Sequence, residues 1–468
     1  MTELRPLWTG SEIAAATGGV LHGDFTANGV TFDSREVIGG ELFVALTGET
    51  TDGHRFLDSA RSRGAAGLLV SAPTDGPHVL VADTMLALRA LAAAARDRSA
   101  AVRIGVTGSV GKTGTKEALK LALERFVTGR VHASVKSYNN HTGVPLSLAR
   151  MPADSRYGVF EMGMNHAGEL TDLAALVQPD IAVITWVASA HREFFAREAD
   201  IAHAKAEVFS GLKPGGTAIW PLDNVHRDIL RPAAQAAGRA ISFGFDPAAD
   251  VHAEKFVLHP DCSCVTARIG TERLTYRVGM AGRHWVSNSL AVLAAVQAAG
   301  GDLALAGLAL AELSDLPGRG KRLRVLAGQN GSGGQAIVID ESYNANPASM
   351  AASLAVLGEI KPAGRRLAVL GDMRELGTGS AQFHADLAEH VKAAGIEAII
   401  LVGNEMKALA LALGRALEVR HVADAAAALQ TLDPMLGADD VVLIKGSNSL
   451  GLGGVVAALA AREQEAGR

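Results

Sequence analysis

Cysteine is almost absent from this chain: of 468 residues only Cys262 and Cys264 carry thiols, one residue apart. Such a pair supplies neither a disulfide framework nor, by itself, a four-ligand zinc site. It fits a reducing, cytoplasmic setting in which both thiols are inert. Charge of one sign is scarce too. Lys plus Arg number 44 against 49 Asp plus Glu, a formal net charge of −5 with no basic block, so nothing supports a nucleic-acid partner. Long apolar runs are missing as well. The longest, Leu303 to Ala311 and Gly451 to Ala461, reach about half the ~20 residues that span a bilayer and read as core helices. The opening MTELRPLWTGSEIAAATGG lacks the basic-then-apolar order of a signal peptide. No membrane insertion is expected.

What is present is a globular composition, 48% hydrophobic and 20% charged. At roughly 150 residues per domain the length suggests about three domains. Val/Ile-rich runs predict strands at Val102 to Val106, Tyr157 to Phe160, Ile181 to Thr185 and Thr217 to Trp220. The rhythm returns at Ala336 to Ile339, Leu367 to Leu370, Ala398 to Val402 and Val441 to Ile444. Alternation with Ala/Leu-rich helical stretches is the pattern of parallel α/β sheets. The first ~85 residues differ, with short mixed segments and glycines, and a helix over Leu86 to Arg96 links them to the centre. The sequence LPGRGK at 316–321 marks a second hinge. Asn346 and Pro347 predict a helix start, Asn as N-cap and Pro in the first turn.

In open parallel sheets, ligands sit beyond the carboxyl ends of the strands. At the first such end lies GVTGSVGKTGTKEAL, residues 105–119, an apolar strand entering a Gly-bounded loop closed by Gly-Lys-Thr and followed by a helix. Backbone N–H groups of Gly108, Ser109, Val110 and Gly111 can cradle phosphate oxygens, Lys112 can reach the β and γ phosphates, and Thr113 can ligate Mg²⁺. The strict phosphate-loop spacing asks for glycine at 106, where this chain has Val106. No NKxD segment for guanine is present, which favours ATP. Glu161 ends the next strand where a metal-binding carboxylate is needed, and His191 follows the third by a short loop. Other strand ends to inspect are Asp223, Asp340, Asp372, Asn404 and Lys445.

These residues belong to a wider set: DSREVIGGELFVAL and GETTDGHRF within 33–56, NNHTGVPLSL at 139–148, EMGMNHAGEL at 161–170, AHREFF at 190–195, AKAEVFSGL at 204–212, GRHWVSNSLA at 282–291, DESYNANPASM at 340–350 and GDMRELG at 371–377. With them the chain resembles, nearly end to end, the Mur ligases of bacterial peptidoglycan assembly. The resemblance implies a fold of three α/β domains. These are a smaller mixed N-terminal domain binding the UDP substrate (1–85), a central P-loop parallel-sheet ATPase domain (86–318) and a C-terminal Rossmann-like domain (319–468). It implies an ATP-dependent amide bond, through an acyl phosphate, between the terminal carboxylate of a UDP-N-acetylmuramoyl-tripeptide and the amine of D-Ala-D-Ala, by a cytoplasmic monomer.

By the same resemblance, Lys112 holds the ATP phosphates, Thr113 and Glu161 one Mg²⁺, and His191 with a carbamylated Lys205 a second. Asn288 contacts adenine, Arg319 the nucleotide from the hinge and Asp340 the ribose. Ser34, Arg35 and the Gly48 to His54 loop, with Asp52, hold the UDP end. Asn139, Asn140 and Thr142 line the peptide carboxylate, and Asn344 and Asn346 lie near the dipeptide. Bland alternatives stand beside these: Asn344 and Asn346 as turn and helix cap, and Lys205 as a solvated lysine paired with Glu207 or Glu198. The sequence departs from the family at Trp186, Ala188 and Ser189, at Pro221, and at Asn448, where an arginine is common; Asn448 receives no role. Alternative functions are a related ligase with another amine, of the folylpolyglutamate or third-residue type, and a nucleotide-gated switch.

Overall fold

The computed structural model describes residues 6–48, 51–189, 192–314, 316, 318–328, 334–415 and 417–466. Three main sheets follow one another along the chain. The N-terminal sheet has five strands in the order Val20–His22, His78–Leu80, Gly67–Val70, Glu41–Val44, Gly29–Thr31. All neighbours are parallel except the first pair. A two-stranded ribbon, Trp8–Thr9 with Thr26–Ala27, flanks it.

The middle sheet has nine strands. From Val131–Ala133 it runs through Tyr157–Glu161, Val102–Thr107, Ile181–Ile184, Thr217–Pro221 and Arg239–Gly244 to Val251–Leu258, all parallel. Ser263–Ile269 and Glu272–Val278 then add an antiparallel edge. The central parallel strands Tyr157–Glu161, Ile181–Ile184 and Thr217–Pro221 are buried along their whole length because both faces are covered. Ile104, Val106, Val159 and Val183 pack against helices Lys112–Phe126, Arg283–Ala298 and Leu303–Ala311. Their alternate neighbours Phe160, Ala182 and Ile184 face helices Gly143–Ala149, Glu169–Val177 and Glu198–Ala206.

The C-terminal sheet has six strands in the order Lys321–Leu326, Gln335–Glu341, Val441–Lys445, Arg366–Gly371, Ala398–Val402, Glu418–Val422. Only the first pair is antiparallel. Ile399 and Leu443 on one face and Ile400 and Val442 on the other enter separate cores.

Helix Thr84–Asp97 joins the first two sheets. Its start is fixed by Asp83, whose carboxylate accepts the Met85 and Leu86 N–H groups. It buries Ala87, Leu88 and Leu91 in the N-terminal core and Ala92 in the middle one. Arg89 reaches Asp172 at 2.8 Å, and the Trp8 indole donates to the Ala149 carbonyl at 2.8 Å. The described residues among the first 85 thus build an ordered sheet, more regular than their glycine-interrupted sequence suggests. Among the described residues no helix is long and apolar enough to cross a membrane; the first apolar run is the helix Leu303–Ala311, and the second enters helix Gly453–Ala466 from its third residue.

Candidate active site

The strand Val102–Thr107 has later strands on both sides, Tyr157–Glu161 and Ile181–Ile184, so it sits at a topological switch point. A crevice opens there beyond the carboxyl ends. Into it runs the loop Gly108 to Gly111, with helix Lys112–Phe126 behind it. Two glycines make the loop possible. Gly111 has φ 85°, and a Cβ there would meet the Asn288 amide oxygen at 2.8 Å; a Cβ on Gly108 would meet the Thr185 hydroxyl at 2.0 Å. The loop is pinned to the neighbouring strand end: the Ser109 N–H donates to the Trp186 carbonyl at 2.7 Å, the Thr185 hydroxyl to the Val110 carbonyl at 2.5 Å, and the Ser109 hydroxyl to the Ala188 carbonyl at 3.0 Å. The departures Trp186 and Ala188 therefore serve the loop through their backbone, whose contacts do not depend on side-chain identity.

Lys112 Nζ curls back to the Gly108 carbonyl at 2.7 Å. Burial lowers its pKa, Glu161 and Glu375 oppose that shift, and Arg319 adds to it. Beside it the Thr113 hydroxyl donates to Glu161 Oε2 at 2.7 Å, and the Asn139 amide to Glu161 Oε1 at 2.7 Å. Thr113 and Glu161 thus set two oxygens on one spot, the hard-donor chemistry that Mg²⁺ selects. Among the described residues no three His, Cys, Asp or Glu side chains converge. A magnesium site built from one carboxylate, a hydroxyl and substrate phosphates needs no such trio.

Lys205 lies in helix Glu198–Ala206, wholly buried, and its Nζ has no hydrogen-bond partner among the described residues. Burial, with a smaller push from Lys112, drives its pKa well below the ordinary lysine value. The solvated pairing is overturned: Glu207 accepts the Gly168 N–H, and Glu198 takes the His226 ring and the Ser189 hydroxyl. His191 lies outside the described residues.

A cleft of about 960 Å³ joins this wall to the C-terminal sheet. It gathers the expected Ser109, Val110, Gly111, Lys112, Thr113, Asn139, Glu161, Asn288, Arg319, Asn344 and Asn346. The Arg319 guanidinium stands 4.2 Å from the Tyr343 ring centre. Asn346 caps helix Pro347–Glu359 in a reciprocal box with Ser349, and its amide lies 3.5 Å from the Ser109 carbonyl. The cap role is therefore real, and the same side chain also borders the cleft.

Other expected residues do different work. Asp340 is buried as a clasp: one oxygen takes the Gly318 N–H at 2.9 Å, the other the Ser342 N–H and hydroxyl. Asn140 accepts from Thr142 and from the Gly143 N–H, closing the start of helix Gly143–Ala149. Ser34, Arg35, Gly48, Asp52 and His54 sit with the N-terminal sheet. Arg35 forks onto Asp33, and His54 Nε2 accepts the Ser71 N–H, so its Nδ1–H donates to Asp52 at 2.7 Å. Asp223 accepts the Phe245 N–H and Asp372 the Met406 N–H, both as loop anchors.

Sequence reasoning missed Glu341, Tyr343, Arg374 and His284 as cleft residues. Lys445 was flagged only by its strand-end position; it is buried and reaches Glu341 at 3.3 Å and the Asn344 carbonyl at 3.0 Å. Burial lowers the His284 pKa, against the pull of Glu341.

Three family descriptions match consecutive parts of the chain: "Mur ligase family, catalytic domain" over residues 26–101, "Mur ligase middle domain" over 106–296, and "Mur ligase, glutamate ligase domain" over 321–448. The UDP-N-acetylmuramoyl-tripeptide–D-alanyl-D-alanine ligase of Escherichia coli K12 is 36% identical over 457 residues, covering 96% of this chain and 97% of the relative. A crystal structure of MurF from Acinetobacter baumannii, 30% identical, superposes with a TM-score of 0.84 over 98% of this chain and 99% of that one. The MurF ligase of Thermotoga maritima, solved in complex with ADP, is 25% identical with a TM-score of 0.75, over 93% and 98%.

Proposed function

Because this chain belongs to the Mur ligase family, we propose that it joins D-Ala-D-Ala to UDP-N-acetylmuramoyl-tripeptide, at the expense of ATP, in peptidoglycan precursor synthesis. The observation that carries the reading is the single cleft in which the phosphate loop faces the Asn344 to Asn346 segment. Nearly full-length similarity to a ligase of that name supports the choice of substrates.

The chemistry follows from charge. A carboxylate oxygen of the tripeptide attacks the γ-phosphorus of ATP, the bond to the bridging oxygen breaks, and ADP leaves. The acyl phosphate converts a poor leaving group into phosphate. The amine of D-Ala-D-Ala then attacks the carbonyl carbon, loses a proton, and expels phosphate from the tetrahedral intermediate. Two anions must meet in the first step, so fixed positive charge and aligned N–H groups matter most. Lys112, Arg319, the loop N–H groups other than that of Ser109, which the Trp186 carbonyl holds, and the N-terminus of helix Lys112–Phe126 provide them.

Thr113 and Glu161 would hold one Mg²⁺, and His191 with Lys205 a second. Bound there, magnesium would neutralise charge on the phosphates. Lys205 fits that assignment as a carbamate. Its desolvated amine, without a hydrogen-bond partner among the described residues, is held toward the neutral form, which adds CO₂ with release of a proton and gains a carboxylate-like head. Asn288 is assigned to adenine, Asp340 to the ribose by way of the hinge it clasps, Ser34, Arg35 and the Gly48 to His54 loop to the UDP end, and Asn139, Asn140 and Thr142 to the tripeptide carboxylate. The domain limits are taken at 85/86 and 318/319. The enzyme is read as a monomer working in the cytoplasm, where ATP is supplied.

The test is phosphate release by purified protein offered UDP-N-acetylmuramoyl-tripeptide, ATP and a panel of amines. Turnover should require both tripeptide and D-Ala-D-Ala. Equal turnover with glutamate or a single D-amino acid overturns the substrate assignment, and slow hydrolysis indifferent to any amine overturns the ligase.

A further inference from the structure

Lys116 is a second fully buried lysine, one helical turn beyond Lys112, and the reaction as derived gives it nothing to do. Unlike Lys205 it is completely satisfied. An ammonium has three donors, and here one goes to the Ser134 carbonyl at 2.7 Å, one to the Lys136 carbonyl at 2.9 Å and one to the Glu117 carboxylate at 2.8 Å. Two of those acceptors belong to the segment 134–139, which follows the strand Val131–Ala133.

That segment supplies the surroundings of Glu161. The Ser134 hydroxyl accepts the Glu161 N–H at 3.2 Å, and the Asn139 amide donates to Glu161 Oε1 at 2.7 Å. Between them Ser137 Oγ lies 3.4 Å from the Thr113 hydroxyl. Left alone the segment would not hold this shape. Lys136 has φ 54°, a left-handed conformation unfavourable for a side chain with a Cβ and kept only where surroundings over-determine it. Lys116 grips its carbonyl from inside, and Glu36, in the turn Ser34–Glu36 that follows the N-terminal strand Gly29–Thr31, holds its ammonium and the Tyr138 hydroxyl, at 2.6 Å, from outside.

We propose that Lys116 is a positioning residue of the reaction: by holding the Ser134 and Lys136 carbonyls it sets segment 134–139 and, through Ser134 and Asn139, the aim of the Glu161 carboxylate toward the metal. The proposal rests on the metal assignment of Glu161 made above. Groups that orient a metal ligand typically change metal affinity or activity about 10–100-fold when removed.

The experiment replaces Lys116 by Met, which keeps the buried stem and deletes all three donors. Mn²⁺ affinity of the ADP complex, read from the EPR signal of free Mn²⁺, should weaken about 10-fold, and kcat should fall while KM for ATP stays within about 3-fold, since the phosphate loop is untouched. Asn139→Ala added to K116M should cost far less than it does alone, because both act on one carboxylate. A variant that melts earlier but binds Mn²⁺ as wild type does overturns the proposal. If K116M does not fold, Ser134→Ala removes only the hydroxyl that takes the Glu161 N–H; weaker Mn²⁺ binding supports the proposal, and unchanged binding overturns it. Wild-type protein that binds no Mn²⁺ with ADP overturns the metal assignment itself, a separate outcome.

Discussion

Lys112, Lys116 and Lys205 are three lysines of the middle domain with three different surroundings: the first turns back to the Gly108 carbonyl, the second is tied to the Ser134 and Lys136 carbonyls, and the third has no hydrogen-bond partner among the described residues. Sequence spacing identified the first, because a Gly-Lys-Thr after a strand has a known mechanical reason. It could not separate the other two, since a lysine's role inside a protein is set by which carbonyls the fold brings to it. Asp340 shows the same limit: a carboxylate at a strand end reads as a ligand, yet here one oxygen holds Gly318 of the hinge and the other holds Ser342. Lys112→Ala should lower kcat by about 10²–10³ or more with an unchanged circular dichroism spectrum; near wild-type turnover at saturating ATP would refute its role. Lys205→Ala should lose most activity and regain part with acetate. Lys205 also gives a pH signature. Its folded pKa lies below the unfolded value, so its cost to stability is complete below the folded pKa and fades as pH rises toward the unfolded one. In CO₂-free buffer at pH 6, Lys205→Met should therefore raise stability by about 1–3 kcal/mol, the cost of an unpaired buried polar group, and the gain should shrink as pH rises. Thermal denaturation across pH checks this; a gain that grows with pH contradicts it.

Among the elements, parallel strands were the most legible. Val102–Thr107, Tyr157–Glu161, Ala398–Val402 and Val441–Lys445 match their expected spans to within a residue, because burial on both faces writes an unbroken apolar run. The strands Val251–Leu258 and Glu272–Val278 went unread for the opposite reason. Their buried and exposed residues alternate, and charges such as Glu254, Lys255 and Arg273 interrupt the hydrophobic signal. The helix start at Asn346 was legible as a cap, and its place on the cleft was not. Substitution can separate these roles. Asn346→Ser should keep the cap and most of the stability, whereas Asn346→Ala should cost about 1 kcal/mol. Both should raise KM for D-Ala-D-Ala if the amide also guides the dipeptide. An unchanged KM in the serine variant would leave Asn346 a cap alone.

At the scale of the whole molecule, the C-terminal sheet sits against the phosphate loop. The Glu193 N–H donates to the Glu375 carbonyl at 3.0 Å, with Glu375 in a left-handed backbone at φ 62°, and Asn346 reaches toward Ser109. No local sequence pattern encodes such an arrangement, since it depends on a few contacts across a hinge at 316–321, of which residue 317 lies outside the described residues. Reaction needs partners at roughly 3–3.5 Å, drawn from sites assigned to different domains, so substrates must enter a more open form that then closes. Small-angle scattering should show a smaller radius of gyration on adding tripeptide and an ATP analogue, and no compaction would contradict closure. The central claim, an acyl phosphate formed and aminolysed in this one cleft, is tested most directly by isotope. With ¹⁸O in the terminal carboxylate of UDP-N-acetylmuramoyl-tripeptide, each turnover with D-Ala-D-Ala should release phosphate carrying one ¹⁸O, read by mass spectrometry; unlabelled phosphate alongside amide product would contradict the account.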